Sequence, residues 1–107
     1  MKSVLLHEVI SMMVEIVFRE YRTPTVYPSA YRFEMFRTRK WRINVSSFEE
    51  GIRIAESIHD LARDIYIRNG FEIAIEGERK EAKKWVKVTV LERGLDKVKV
   101  ETELRVV

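Results

Sequence analysis

SVLLHEVISMMVEIVFREYR, residues 3–22, is the stretch on which the fold turns. At 100° per residue, Glu8, Ser11, Glu15, Arg19 and Arg22 gather on one narrow polar strip. Leu5, Leu6, Val9, Ile10, Met12, Met13, Ile16, Val17 and Phe18 cover most of the rest. Ser3 is placed to cap the start and Pro24 stands just past the end, so the pattern predicts a helix from Ser3 to about Arg22. So wide an apolar surface exceeds what one sheet face buries, which implies a central helix or a subunit contact; a homodimer through this helix is the preferred reading. His7, Glu8 and Glu15 interrupt the run and no small-residue cleavage site follows it, so neither a membrane span nor a signal peptide is expected, and the default is a soluble cytoplasmic chain.

Outward from that stretch, TPTVYPSA (residues 23–30) holds both prolines of the chain and reads as a loop. From Tyr31 to Val45 the odd positions are Tyr, Phe, Met, Arg, Arg, Trp, Ile and Val, and period two on both sides of Arg37-Thr38-Arg39 argues for strand. Two forms stay open. A hairpin around residues 37–39 would pair Met35 with Trp41, Phe33 with Ile43 and Tyr31 with Val45; without glycine in that loop, one long bent strand is the other form.

Ser46 and Ser47 each stand three residues before a glutamate, a doubled capping-box signal opening a second helix that runs to a left-handed stop at Asn69-Gly70. Phe48, Ile52, Ile54, Ala55, Ile58, Leu61, Ala62, Ile65 and Tyr66 line one half of its wheel. Three strands follow. Phe71 to Glu76 is read with Phe71, Ile73 and Ile75 inward, Trp85 to Glu92 with Val86, Val88 and Val90 inward, and Val98 to Val106 with Val98, Val100, Leu104 and Val106 inward. Arg93-Gly94-Leu95-Asp96 turns the last two into a hairpin. The expected fold is a single α+β domain over residues 1–107, with two helices packed on one face of a four- or five-stranded, mainly antiparallel sheet in the order α-β(β)-α-β-β-β.

At 107 residues with no cysteine, the chain can bury a core without staples, and disulfides, a thiol nucleophile and thiolate metal sites are excluded. Glutamine is absent, asparagine occurs twice and 35% of residues are charged, a composition that suggests a hyperthermophile. Charge and rings are not spread evenly. Between Arg19 and Arg42 lie seven basic residues against two glutamates, a net of +5, and six of the eleven aromatic side chains; the other 83 residues carry 13 basic and 15 acidic groups. Cations that neutralise phosphates, beside flat rings that accept unstacked bases, are what single-stranded nucleic acid selects for.

The expected function is therefore sequence-tolerant binding of single-stranded DNA or RNA, without catalysis and without a cofactor. Arg32, Arg37, Arg39, Lys40 and Arg42 are the expected phosphate contacts, and Tyr27, Tyr31, Phe36 and Trp41 the stacking groups. If the odd positions of residues 31–45 are core, Arg32, Phe36, Lys40 and Arg42 share the wet face. The bland counterpart is that Phe33, Met35 and Trp41 are ordinary core and the arginines serve a thermophile-style ion network. A second function class is a structural or protein-interaction module, viral or part of a larger complex, using the first helix and an outward-facing Trp85 as contacts.

Catalytic readings are weaker. His59 and Asp60 are adjacent on a helix and diverge by 100°, so His59 reads as a structural histidine, as does His7. Glu72, Glu76, Glu78 and Lys80 match no metal-nuclease ligand set, and none of Gly51, Gly70, Gly77 and Gly94 opens a phosphate-cradling loop.

With its aromatic and basic strand region YRFEMFRTRKWRINV (residues 31–45) in a small cysteine-free α+β chain, the protein resembles the archaeal ThermoDBP group of single-stranded DNA-binding proteins. The resemblance implies helices on an antiparallel sheet and a cleft with an aromatic floor and a basic rim that takes the strand. That family carries a C-terminal leucine zipper, whereas this chain ends in strand-like Leu104 to Val107, which leaves the dimer contact to the apolar first helix.

Overall fold

The structure, a computed structural model, describes residues 11–23 and 32–107. Its elements in chain order are β1 (Met12–Arg22), β2 (Glu34–Val45), α1 (Phe48–Arg68), β3 (Glu72–Lys80), β4 (Lys84–Arg93) and β5 (Asp96–Val106). All strands join one sheet in the order β2-β1-β5-β4-β3, every neighbouring pair antiparallel. The chain therefore leaves one edge of the sheet at β2, crosses it as α1, and returns at the opposite edge as β3.

The expectation of two helices is overturned: there is one helix among the described residues, and residues 12–22 of the expected first helix are β1. Its residues 3–10 lie outside the described residues. The reason is burial on two faces. Val14, Ile16 and Phe18 point under α1, while Glu15 and Val17 point to the other face, and all five are buried. A strand covered on both sides loses its apolar-polar alternation and cannot be told from a helix by period alone. The apolar side chains assigned to a homodimer contact at residues 12–18 are thus largely spent on the protein's own core.

Residues 34–45 form one strand, not a hairpin around 37–39. Trp41 lies beside Ile16, Ile43 beside Val14 and Val45 beside Met12, so the pairs expected within residues 31–45 do not form. Glu20 is paired with Arg37 and Tyr21 with Met35, which leaves Phe36 as an extra residue in a bulge.

The second expected helix is α1, capped as its serines indicated. Ser47 Oγ accepts from the Glu50 amide at 3.1 Å, and the Glu50 carboxylate accepts from the Ser46 amide and hydroxyl at 3.2 and 2.9 Å. Gly70, at φ 91°, supplies the left-handed stop. Near the start of the helix Gly51 lets α1 settle onto β5: a Cβ there would stand 3.1 Å from Leu104.

Two apolar clusters hold α1 to the sheet. One gathers Val14, Ile16, Val45, Ile52, Ala55, Trp85 and Leu104, the other Phe18, Phe71, Leu91, Val98 and Val100, and Ile58 touches both. Also beneath the helix is a buried polar relay. Thr89 Oγ1 donates to Glu76 at 2.8 Å, so it accepts from His59 Nε2, and His59 Nδ1 accepts from Thr102 Oγ1, each at 2.8 Å. His59 is thus a neutral Nε2–H tautomer and a structural group. Burial first, then the nearby Lys87 charge, depresses its pKa to about 4.

Strand β4 is inverted relative to its expected face. Trp85 is fully buried under α1 together with Lys87, Thr89 and Leu91, whereas Val86, Val88 and Val90 lie on the far face. Partners decide this parity. The Trp85 indole donates to Glu78 at 2.6 Å, and Lys87 reaches Asp60 at 3.0 Å and Glu56 at 3.2 Å on α1. On β3, Phe71 is buried as expected just before the strand, but a register shift between Ile73 and Ile75 turns Ile75 outward, and both isoleucines are exposed. The final hairpin closes at Arg93 and Asp96 with Gly94 at φ 62°. No helix among the described residues is long and apolar enough to cross a membrane.

Candidate nucleic-acid interface

Helix α1 lies chiefly over β5, which leaves it with two unlike flanks. Toward β4 and β3 the gap is closed by charge. Lys87 bridges Glu56 and Asp60, Arg63 meets Glu76 at 2.9 Å, and Lys80 meets Glu49. Toward β2, no ion pair joins helix to strand among the described residues, and a cleft of about 450 Å³ opens instead.

Alternation along β2 decides what faces that cleft. With Val45 and Ile43 packed inward, the same parity carries Trp41, Arg39 and Arg37 to the helix side, beyond the reach of α1. All three remain exposed, Trp41 at 37%. The facing wall is Leu61, Ile65 and Tyr66 of α1, with Leu61 at 62% exposure. Phe18 and Glu20 line it from β1, Ile58 and Ala62 from deeper on α1, and Phe71, Asn69 and Arg93 from beyond the end of the helix.

The electrostatics are fixed by one buried carboxylate. Glu20 accepts from Arg37 Nη1 at 3.1 Å and from the Tyr66 hydroxyl in a short bond. Burial, reinforced by that bond to Glu20, raises the Tyr66 pKa well above the ordinary phenol value, so Tyr66 stays a donor. The Arg37 guanidinium also sits 5.7 Å from the Phe36 ring centroid. Arg93 stacks 4.4 Å from the Phe71 centroid, donates to the Asn69 carbonyl at 2.8 Å and stands 3.5 Å from Asp96. Arg39 makes no ion pair with another described residue, so its charge faces the cleft uncompensated.

The expected site residues are therefore divided. Arg37, Arg39 and Trp41 come together in the cleft. Lys40 and Arg42 lie on the opposite face of the sheet, where Arg42 donates to Glu15 at 3.2 Å. Arg32 is exposed and paired with Glu34 at 3.2 Å, and Phe36, 48% exposed, occupies the bulge. Tyr27 and Tyr31 lie outside the described residues. The condition that the odd positions are core holds at Ile43 and Val45 but not at 37, 39 and 41, which line an opening, so Lys40 and Arg42 face away from the cleft that Arg37, Arg39 and Trp41 share. The other expected contact, an outward Trp85, is wholly buried.

The ion network set against nucleic-acid binding exists chiefly on the far face, with the Arg37–Glu20 pair as its member in the cleft. Glu15 is held between Arg105 at 2.8 Å and Arg42, whose hydrogen bonds keep its carboxyl below the usual range. Glu103 is shared by Arg19 and Lys84, and Val17 is sealed beneath this lattice.

Four cleft residues were not legible as such: Glu20, Tyr66, Arg93 and Leu61. Only Leu61 left a signal. An apolar arc covering half the α1 wheel is wider than the stripe that contacts the sheet, and its surplus, Ile54, Leu61 and Ile65, stays exposed. Among the described residues no group of three or more His, Asp or Glu side chains is placed to hold a metal ion. No protein-family model matches the chain, and neither a curated protein nor a solved structure does so.

Proposed function

We propose that this chain is a non-enzymatic, sequence-tolerant single-stranded nucleic-acid-binding protein, and that the cleft between α1 and β2 is where the strand lies. The observation that carries the reading is Arg39 beside Trp41 on the open side of β2: a guanidinium without an ion pair among the described residues and an exposed indole two residues apart, facing an apolar wall. Arg39 and Arg37 take phosphates, Trp41 stacks a base, and Leu61 and Ile65 shield that base from water. Arg93 adds a third cation from a distant hairpin. A cytosolic, hyperthermophilic and archaeal setting fits the composition and the resemblance to the ThermoDBP group.

Fluorescence anisotropy of a labelled single-stranded oligonucleotide tests the reading. Binding should weaken steeply with added salt. Arg39→Ala with Trp41→Ala should weaken it at least tenfold, whereas Lys40→Ala with Arg42→Ala, on the other face, should leave most of it. Equal loss from both pairs, or no binding at low salt, removes the proposal. The exposed Leu61 and Ile65 favour one second reading, in which the same cleft grips an apolar segment of a protein partner; a chain indifferent to oligonucleotide supports it.

A further inference from the structure

The far face of the sheet is covered over only part of its width. Across β2, β1 and β5 the lattice of Glu15, Arg42, Arg105, Arg19 and Glu103 covers it, down to a fully buried Val17. Across β4 and β3 that lattice does not continue among the described residues. Val86, Val88 and Val90 are only partly buried, Ile75 is 65% exposed, and above Gly77 no atom lies within 4 Å of where a Cβ would stand. Ile75, Gly77, Val86 and Val88 line a shallow groove of about 360 Å³.

The ends of this strip carry opposite charge. At one end Glu72 and Glu92 are direct cross-strand partners on the same face, with Lys97 of β5 opposite Glu92 on its other side, so that this end keeps an excess of negative charge, and neither glutamate has an ion pair with another described residue. Like charges in that position repel. At the other end stand Arg79 and Lys84, 79% and 49% exposed, with Glu81 at 3.6 Å and Glu103 at 3.3 Å as their only ion-pair partners among the described residues.

We propose that this strip is a homodimer interface, occupied by the same strip of a second copy. A two-fold axis lying between the two sheets and perpendicular to the strands reverses one strip over the other. It brings Glu72 and Glu92 of each copy to the Arg79 and Lys84 end of its partner, twice, and relieves the like-charge pair. Each Ile75 then meets its partner at the level of Gly77, where there is room for it. The apolar centre and charged ends suit sheet-on-sheet packing, and the operation closes, so a dimer forms and not a filament. The cleft beside α1 lies on the opposite face and stays open in this dimer.

Sedimentation equilibrium of the full chain without nucleic acid tests this separately from the binding reading. The expected result is twice the chain mass at micromolar concentration. Glu72→Lys with Glu92→Lys should raise the dissociation constant at least tenfold, and adding Arg79→Glu with Lys84→Glu to that variant should restore association. Val88→Lys, on the strand next to the edge, should also dissociate the dimer while circular dichroism reports an unchanged fold. A monomer at every concentration overturns the proposal. So does a dimer indifferent to the charge reversals, or one that Val88→Lys leaves intact, which would mean pairing along the free edge of β3.

Discussion

The two flanks of α1 are built from the same residue types and end in opposite states. On the β4 side, lysine, arginine and a tryptophan are each met by a carboxylate: Lys87 by Glu56 and Asp60, Arg63 by Glu76, Trp85 by Glu78. On the β2 side, arginine and tryptophan again stand together, but Arg39 has no ion pair with another described residue and Trp41 remains exposed. Basic and aromatic composition is therefore not itself a binding signal. What separates a sealed seam from an open cleft is whether helix and strands lie close enough for carboxylates on either to meet the cations and indole of the other elements.

Substitutions on the closed flank should therefore cost stability and those on the open flank should not. The largest effect is expected at the two tryptophans: Trp85→Ala should lower unfolding free energy in urea by about 3–5 kcal/mol. Trp41→Ala should cost far less, since its indole is partly in water already. Comparable losses would erase the distinction.

Next in size is a pH effect from the buried relay. His59 has its folded-state pKa lowered to about 4 from 6.5, so its neutral form contributes stability that is fully present above pH 6.5. As pH falls from 6.5 toward 4 the unfolded chain takes up the proton and the folded chain does not, so as much as about 3 kcal/mol is lost across that window. Glu15, Glu76 and Glu103, whose pKa values are lowered below the ordinary 4.5, add their own loss only at more acidic pH. Urea unfolding at pH 7 and pH 5 checks this, and His59→Gln should flatten the difference.

A smaller loss, about 1 kcal/mol, is expected for Ser47→Ala, which removes the cap that starts the helix. Smallest is Arg39→Ala, within about 0.5 kcal/mol of the parent in stability, because nothing in the described structure leans on that guanidinium. A marked destabilisation there would reveal a structural partner and weaken the case for an open flank.

Much of the architecture is legible along the chain where local signals agree. Ser46, Ser47, Glu50 and Asn69-Gly70 mark both ends of α1, and Gly94 marks the last hairpin. Residues 12–22 mislead because β1 is covered on both faces, which removes the alternation that would identify a strand. Four β-branched or aromatic residues within five positions, Val14, Ile16, Val17 and Phe18, are the remaining hint. The parity of β4 is invisible locally: burying Trp85 and Lys87 depends on carboxylates at Glu56, Asp60 and Glu78, supplied by other elements.

The site shows the same division. Arginines and rings between residues 19 and 42 are plain in the sequence, but which face of β2 is open depends on where α1 lies. Arg37, Arg39 and Trp41 therefore line the cleft in place of Lys40 and Arg42. Arg93 and Tyr66 reach it only through the tertiary fold.

The most direct test uses the two indole N–H signals in nuclear magnetic resonance spectra of the 15N-labelled chain, titrated with a short single-stranded oligonucleotide at low salt. The account predicts that the Trp41 signal moves and saturates together with amides of residues 37–41, 61 and 65, while the Trp85 signal, sealed beneath α1, stays in place. Shifts confined to the Arg42 and Arg105 face, or none at all, would contradict it.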